Sequence, residues 1–148
     1  MKNKENTPYL DPAHSMGYLS RLSFRAFSRA LEKRTIKHGI SGGQWRFLRV
    51  LWEEEGLSQR QLSELVNTKE PTTVRAVRSL EENGLIKRTQ DPVDGRKFNI
   101  FLTPKSRSLR NKLMPYVIEV NQIASQGVSK KDLDTTRRVL IKMYENLR

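Results

Sequence analysis

The stretch Glu70 to Gly84, EPTTVRAVRSLEENG, decides how the rest of the chain is read. At roughly 100° per residue, Val74, Val77 and Leu80 fall on one side of a helix, with Thr72, Arg75, Ser79 and, at the margin, Arg78 pointing away. One side is core and the other faces outward. The outward set mixes guanidinium forks with short hydroxyls, groups that match guanine edges and phosphates. Pro71 suits a first-turn position, and Asn83-Gly84 ends the helix.

Just upstream, SQRQLSELV (58–66) is a second, shorter helical pattern. Ser58 caps it with Gln61 three places later, Leu62, Leu65 and Val66 face inward, and Asn67 to Lys69 make the turn. Downstream, Leu85 to Gln90 (LIKRTQ) and Phe98 to Thr103 (FNIFLT) are strand candidates around DPVDGRK. That loop is too long for a two-residue turn and carries Arg96 and Lys97 near its tip, so it makes a basic finger. Helix, turn, helix and hairpin in this order predict a winged helix-turn-helix, mainly α with a small β-hairpin wing.

Residues 1–14 are polar, contain Pro8 and Pro12, and read as a flexible N-terminal arm. From Ser15 a helix is expected to about Lys37. Met16, Leu19, Ala26, Phe27, Ala30 and Leu31 make its apolar stripe, opposite Arg21, Arg25, Arg29, Glu32 and Lys33. Ser20 and Ser23 interrupt the stripe and Phe24 borders it. After His38-Gly39, Ser41 and Gln44 form a capping box for WRFLRVLWEEE, which is apolar around most of its circumference through Trp45, Phe47, Leu48, Val50, Leu51 and Trp52. Its charged stripe is Arg46, Arg49 and Glu53; Arg49 and Glu53 can pair, which leaves Arg46 without a partner on its own helix.

Thr103-Pro104 opens a long helix to about Gln126, expected to kink or break near Pro115. Ser129, with Asp132 at the third position, caps a last helix in which Leu133, Leu140, Tyr144 and Leu147 fall near heptad spacing, with Arg137 intruding. A winged helix needs only residues 41–103. The flanking segments, 15–40 and 104–148, are read as dimerisation helices, because their apolar stripes need cover that a second copy supplies; folding back on their own domain is the alternative. A twofold pair would hold two reading helices roughly 34 Å apart, one turn of duplex.

Net charge is +12, from 28 Lys and Arg against 16 Asp and Glu, which favours a polyanionic partner. Without cysteine there is no disulfide, thiolate nucleophile or thiol-based redox sensing. His14 and His38 are the only histidines, and no metal site or cofactor is expected from them. No Ser/His/Asp arrangement or glycine-rich phosphate loop appears, so no catalytic residues are assigned and no enzyme is expected. Asp91 and Asp94 lie in a basic turn, outside any cleft. No run of about 18 apolar residues suits a membrane span, and MKNKENTPYLDPAH resembles neither a signal nor a transit peptide, so a cytoplasmic protein is expected.

Taken with these elements, the chain resembles the MarR (multiple-antibiotic-resistance regulator) family over about residues 15 to 147. The resemblance rests on GISGGQWRFLRVLWEEEGLSQRQLSELV, on LEENGLIKR, and above all on the wing, DPVDGRKFNIFLTPKSR. Asp91, Asp94, Arg96, Leu102, Thr103, Lys105 and Arg107 match the family's wing pattern, while Ser106 stands where the family usually has Gly and Gly95 where it often has Arg. The resemblance implies a homodimeric DNA-binding regulator, most often a repressor, released from its operator by small, frequently aromatic and anionic ligands. It places the family's recognition arginine on Arg75 and its minor-groove wing arginine on Arg96, with the wing aspartates holding the loop in shape.

Arg75 is therefore expected to read bases, while Arg78 and Ser79 on the same face are expected to contact either bases or phosphates. Lys69, Thr72 and Thr73 at the helix start, and Ser58, Gln59 and Arg60 from the preceding helix, are expected to meet phosphates. Asp94, Arg96 and Lys97 complete the double-stranded DNA interface from the wing. A ligand pocket is expected from Ser20, Ser23, Phe24, Phe27 and Trp45, with Arg46 or Arg49 binding the carboxylate of an aromatic acid and His38 nearby. The competing reading is a nonspecific or architectural DNA-binding protein without a ligand, which would show a steep salt dependence and little sequence discrimination.

Overall fold

A computed structural model of the chain describes residues 8–148. Six α-helices are laid down as α1 (Met16–Thr35), α2 (Gly42–Glu53), α3 (Gln59–Val66), α4 (Glu70–Glu82), α5 (Pro104–Ala124) and α6 (Lys130–Leu147). Three strands, β1 (Leu57–Ser58), β2 (Ile86–Gln90) and β3 (Phe98–Leu102), complete the fold. A hydroxyl side chain caps every helix except α4: Ser15, Ser41, Ser58, Thr103 and Ser129 each accept an amide of the first turn. Both expected capping boxes, Ser41 with Gln44 and Ser58 with Gln61, are complete. Helix α4 starts at Lys69 with no side-chain cap.

Helix α2 is the centre of the core. Phe47, Leu48 and Leu51 pack with Leu62 of α3, Val77 and Leu80 of α4, Ile86, Ile100 and Leu102 of the sheet, and Leu113 of α5. The near-circumferential apolar pattern of α2 is thus satisfied on several sides. The charged stripe stays at the surface, but Arg49 and Glu53 form no ion pair. Arg34 of α1 holds Glu119 of α5 by two bonds of 3.0 and 2.9 Å, clasping those helices together.

The antiparallel sheet runs β1-β3-β2, with Ile86 opposite Leu102, Gln90 opposite Phe98, and Leu57 opposite Ile100. The two wing strands are as expected, but β1 is an addition. Two residues are too few to show alternation, so the pairing is invisible in sequence. Gly56 delivers the chain to β1: its φ is +77°, and its amide donates to the Ile100 carbonyl at 2.8 Å. Its backbone angle favours glycine.

Several expectations need correction. Leu65 is 54% exposed and Val74 42%, so neither joins the core. Helix α5 runs unbroken through Pro115, which is exposed. Of the expected arm, residues 1–7 lie outside the described residues, while Pro12–His14 form a single 3-10 turn capped by Asp11. Helix α6 buries no residue within this chain; Leu140, Ile141, Tyr144 and Leu147 are exposed, as are Met16, Leu19 and Leu22 of α1. Among the described residues, no helix is long and apolar enough to cross a membrane, and no group of three or more His, Asp or Glu side chains is placed to hold a metal ion.

Candidate nucleic-acid interface

The angle between α3 and α4 is fixed by the turn that joins them. Asn67 takes a left-handed conformation (φ 56°), and the Thr68 amide donates to the Ser63 carbonyl at 3.0 Å. Ser63 bonds the Gln59 carbonyl at 2.9 Å and meets the hydroxyl of Thr73 at 2.7 Å. Thr73 is fully buried. It pins the two helices together and cannot touch a phosphate, contrary to the sequence expectation.

Ser79 is also turned inward. The buried side chain of Gln44 donates to its hydroxyl at 2.9 Å while accepting from the Ser41 amide at 3.1 Å. Gln44 therefore links the first turn of α2 to α4. Sequence reading found Gln44 only as a cap; its second bond spans 35 positions and leaves no local pattern. What remains outward on α4 is Arg75 and Arg78, both exposed, half-buried Thr72, and the unexpected Val74. No ion pair engages Arg75 or Arg78 among the described residues. Lys69 is exposed at the uncapped start of the helix.

On α3, the hydroxyl of Ser58 is occupied as a cap by the Gln61 amide (3.2 Å), and Gln59 is half-buried. Arg60 is exposed and reaches Glu64 at 3.3 Å, an open pair that solvent or another anion can exchange.

The wing is braced from within. Asp91 accepts from the amides of Val93 (2.8 Å) and Asp94 (2.9 Å) with one oxygen and from Asn99 Nδ2 (3.0 Å) with the other. The Asp94 amide first, then Asn99 and Val93, hold the Asp91 carboxyl below the usual carboxylate range. Asp94 accepts from the Arg96 amide at 3.1 Å, and Gln90 Nε2 donates to the Gly95 carbonyl at 2.6 Å. Asp94 shapes the loop with its carboxylate, whereas Arg96 and Lys97 are left exposed on it.

A bracket joins the wing to α4. Arg88 of β2 grips Glu81 through bonds of 2.9 and 3.1 Å, and its guanidinium lies 5.8 Å from the centre of the Phe98 ring. The Arg88 bond holds the Glu81 carboxyl below its usual range. Neither residue stood out in the sequence, where they are seven positions apart across a helix end.

A groove of about 1240 Å³ runs beside α1, α2 and α5. Phe24, Phe27, Trp45, Arg46 and Arg49 line it, joined by Arg110 of α5. Trp45 stands edge-on to Trp52, with ring centres 5.4 Å apart. Arg46 also lies 5.7 Å from the Phe47 ring centre. Ser20, Ser23 and His38 are not in the lining; Ser28 and Thr35 are the nearby hydroxyls that are. His38 instead meets the Tyr116 hydroxyl at 3.1 Å.

A family model described as the MarR family matches residues 40–98. The HTH-type transcriptional regulator TtmR of Methylorubrum extorquens (strain PA1) is 32% identical over 117 residues, covering 78% of this chain and 56% of its own length. The chain thus spans little more than half of that curated relative. Among solved structures, a MarR transcriptional regulator from Methanosarcina mazei Go1 matches with a TM-score of 0.81 at 26% identity, over 88% of this chain and 95% of that one. The S. aureus MepR-DNA complex matches with a TM-score of 0.81 at 24% identity, over 89% of this chain and 98% of that one, a likeness of fold. With the helix order, the three-stranded sheet and the Asp-braced wing already in place, these matches give one conclusion: the chain belongs to the MarR family of transcriptional regulators.

Proposed function

We propose that this protein is a sequence-specific, DNA-binding regulator that sits as a homodimer on a pseudo-palindromic operator, acts as a repressor, and is released by a small aromatic anion. The observation that carries the reading is the outward face of α4. Arg75 and Arg78 stand exposed there and, among the described residues, without ion pairs, while the wing presents Arg96 and Lys97 from a braced loop. Arg75 addresses a guanine edge in the major groove. Lys69, Thr72 and Arg60 meet phosphates from the surrounding first turns. Arg96 enters the flanking minor groove, where narrow A·T-rich sequence concentrates negative potential.

The second copy supplies cover for the apolar residues that α1 and α6 leave exposed, and closes a twofold dimer. The groove offers aromatic walls and the cations Arg46, Arg49 and Arg110 to an aromatic carboxylate. Release requires that this ligand bind the free form more tightly than the DNA-bound form.

Selection of bound duplexes from a random pool, followed by salt titration, tests the DNA reading. A preferred sequence, lost with Arg75→Ala at a cost of about ten- to hundredfold in affinity, supports it; equal binding of all sequences leaves the nonspecific reading, which rests only on the +12 charge. A thermal-shift screen of aromatic carboxylates, repeated with Arg46→Ala and Arg110→Ala, tests the ligand. Unchanged affinity in both variants would remove the groove from the account.

A further inference from the structure

The outward flank of α4 carries one residue that the arginines do not explain. Val74 follows the period of the core residues Val77 and Leu80, yet it is 42% exposed, whereas Val77 and Leu80 are buried. The buried direction of α4 is defined by Thr73, Val77 and Leu80. At roughly 100° per residue, Val74 lies about a quarter-turn from Thr73, on the side of Arg78. Its branched methyls are therefore presented beside the guanidinium-bearing side chains. The residue is rigid as well as apolar, since a β-branched side chain in a helix holds essentially one rotamer. An exposed, fixed apolar knob among cations has one apolar counterpart in the major groove, the 5-methyl group of thymine.

We propose that Val74 is a specificity-determining residue: its methyls pack against a thymine 5-methyl in each half-site, next to the base addressed by Arg75. The inference rests on the major-groove placement of α4 argued above, and it adds a base preference that neither arginine supplies. A cytosine at that position presents hydrogen instead of methyl and an amino group instead of a carbonyl, leaving the valine against a polar edge. The 5-methyl is the atom group at issue. Its loss should cost about fourfold in affinity per half-site, the value of one buried methyl-sized group.

The test begins with the duplex that the intact protein selects from a random pool. Each thymine in the half-sites is then replaced in turn by deoxyuridine, which removes only the methyl and leaves the protein untouched. The expected result is a position at which wild-type protein loses about fourfold per half-site, while Val74→Ala binds the thymine and uracil duplexes equally. Because Val74 lies at the surface, thermal unfolding of Val74→Ala should stay close to wild type, and a folded variant that keeps the full methyl sensitivity overturns the proposal. Wild-type affinity indifferent to every methyl also overturns it, leaving the regulator reading intact. Failure to select any sequence overturns both.

Discussion

Gln44 and Ser79 are joined by a bond of 2.9 Å between an amide nitrogen on α2 and a hydroxyl on α4. Because Gln44 is buried, removing the acceptor strands a donor away from water. Ser79→Ala should lower unfolding stability by about 1–3 kcal/mol, measured by urea titration. The residue was expected on the outward, DNA-contacting face; should Ser79→Ala leave stability unchanged while altering operator choice, its inward role here would be refuted.

Arg88 and Glu81 form the bracket between wing and α4, and both side chains are more than a third exposed. Glu81→Gln should therefore change global stability by less than about 1 kcal/mol. Operator affinity should fall several-fold nonetheless, because the wing loses its set angle. A double-mutant cycle with Arg88→Ala, read by gel shift, should show the two losses to be non-additive.

Ser106 is fully buried with its Oγ unbonded, and its carbonyl accepts from Trp52 Nε1 at 3.1 Å. Ser106→Ala keeps the backbone bond and discards the stranded hydroxyl. The variant should gain on the order of 1 kcal/mol in denaturant unfolding; a loss would mean that the hydroxyl has a partner after all.

The Asp91 carboxyl, held low by the amides and Asn99 around it, makes wing order sensitive to acid. A depressed folded-state value means that the contribution is complete above the usual carboxylate range and disappears as pH falls through the depressed value. Protection factors of the Val93 and Asp94 amides, measured against the intrinsic exchange rate at each pH, should hold at neutral pH and fall once the carboxyl is protonated, below the usual carboxylate range. Asp91→Ala should show fast exchange at neutral pH already.

Sequence made the helix starts plain, since Ser41-Gln44 and Ser58-Gln61 are local signals whose two halves sit within four residues. It also exposed the wing, because two strand-like runs, LIKRTQ and FNIFLT, flank the polar turn DPVDGRK. Helical period could not decide Val74, Ser79 and Thr73, because the side chains that cover or spare them come from α2 and α3. The groove was half legible: the aromatics of α1 and α2 were found, whereas Arg110 arrives from a helix some sixty positions later.

With none of its residues fully buried in its own chain, α6 is held by its backbone bonds, the Ser129 cap, the exposed pairs of Asp134 with Lys130 and Arg137, and the partial cover of Leu133, Val139 and Met143. If a second copy supplies its cover, the melting temperature must climb with protein concentration, because association then adds a mass-action term to folding. Dilution alone would loosen this end of the molecule first, with hydrogen–deuterium uptake rising over residues 130–147 before it rises at Leu48 or Leu62.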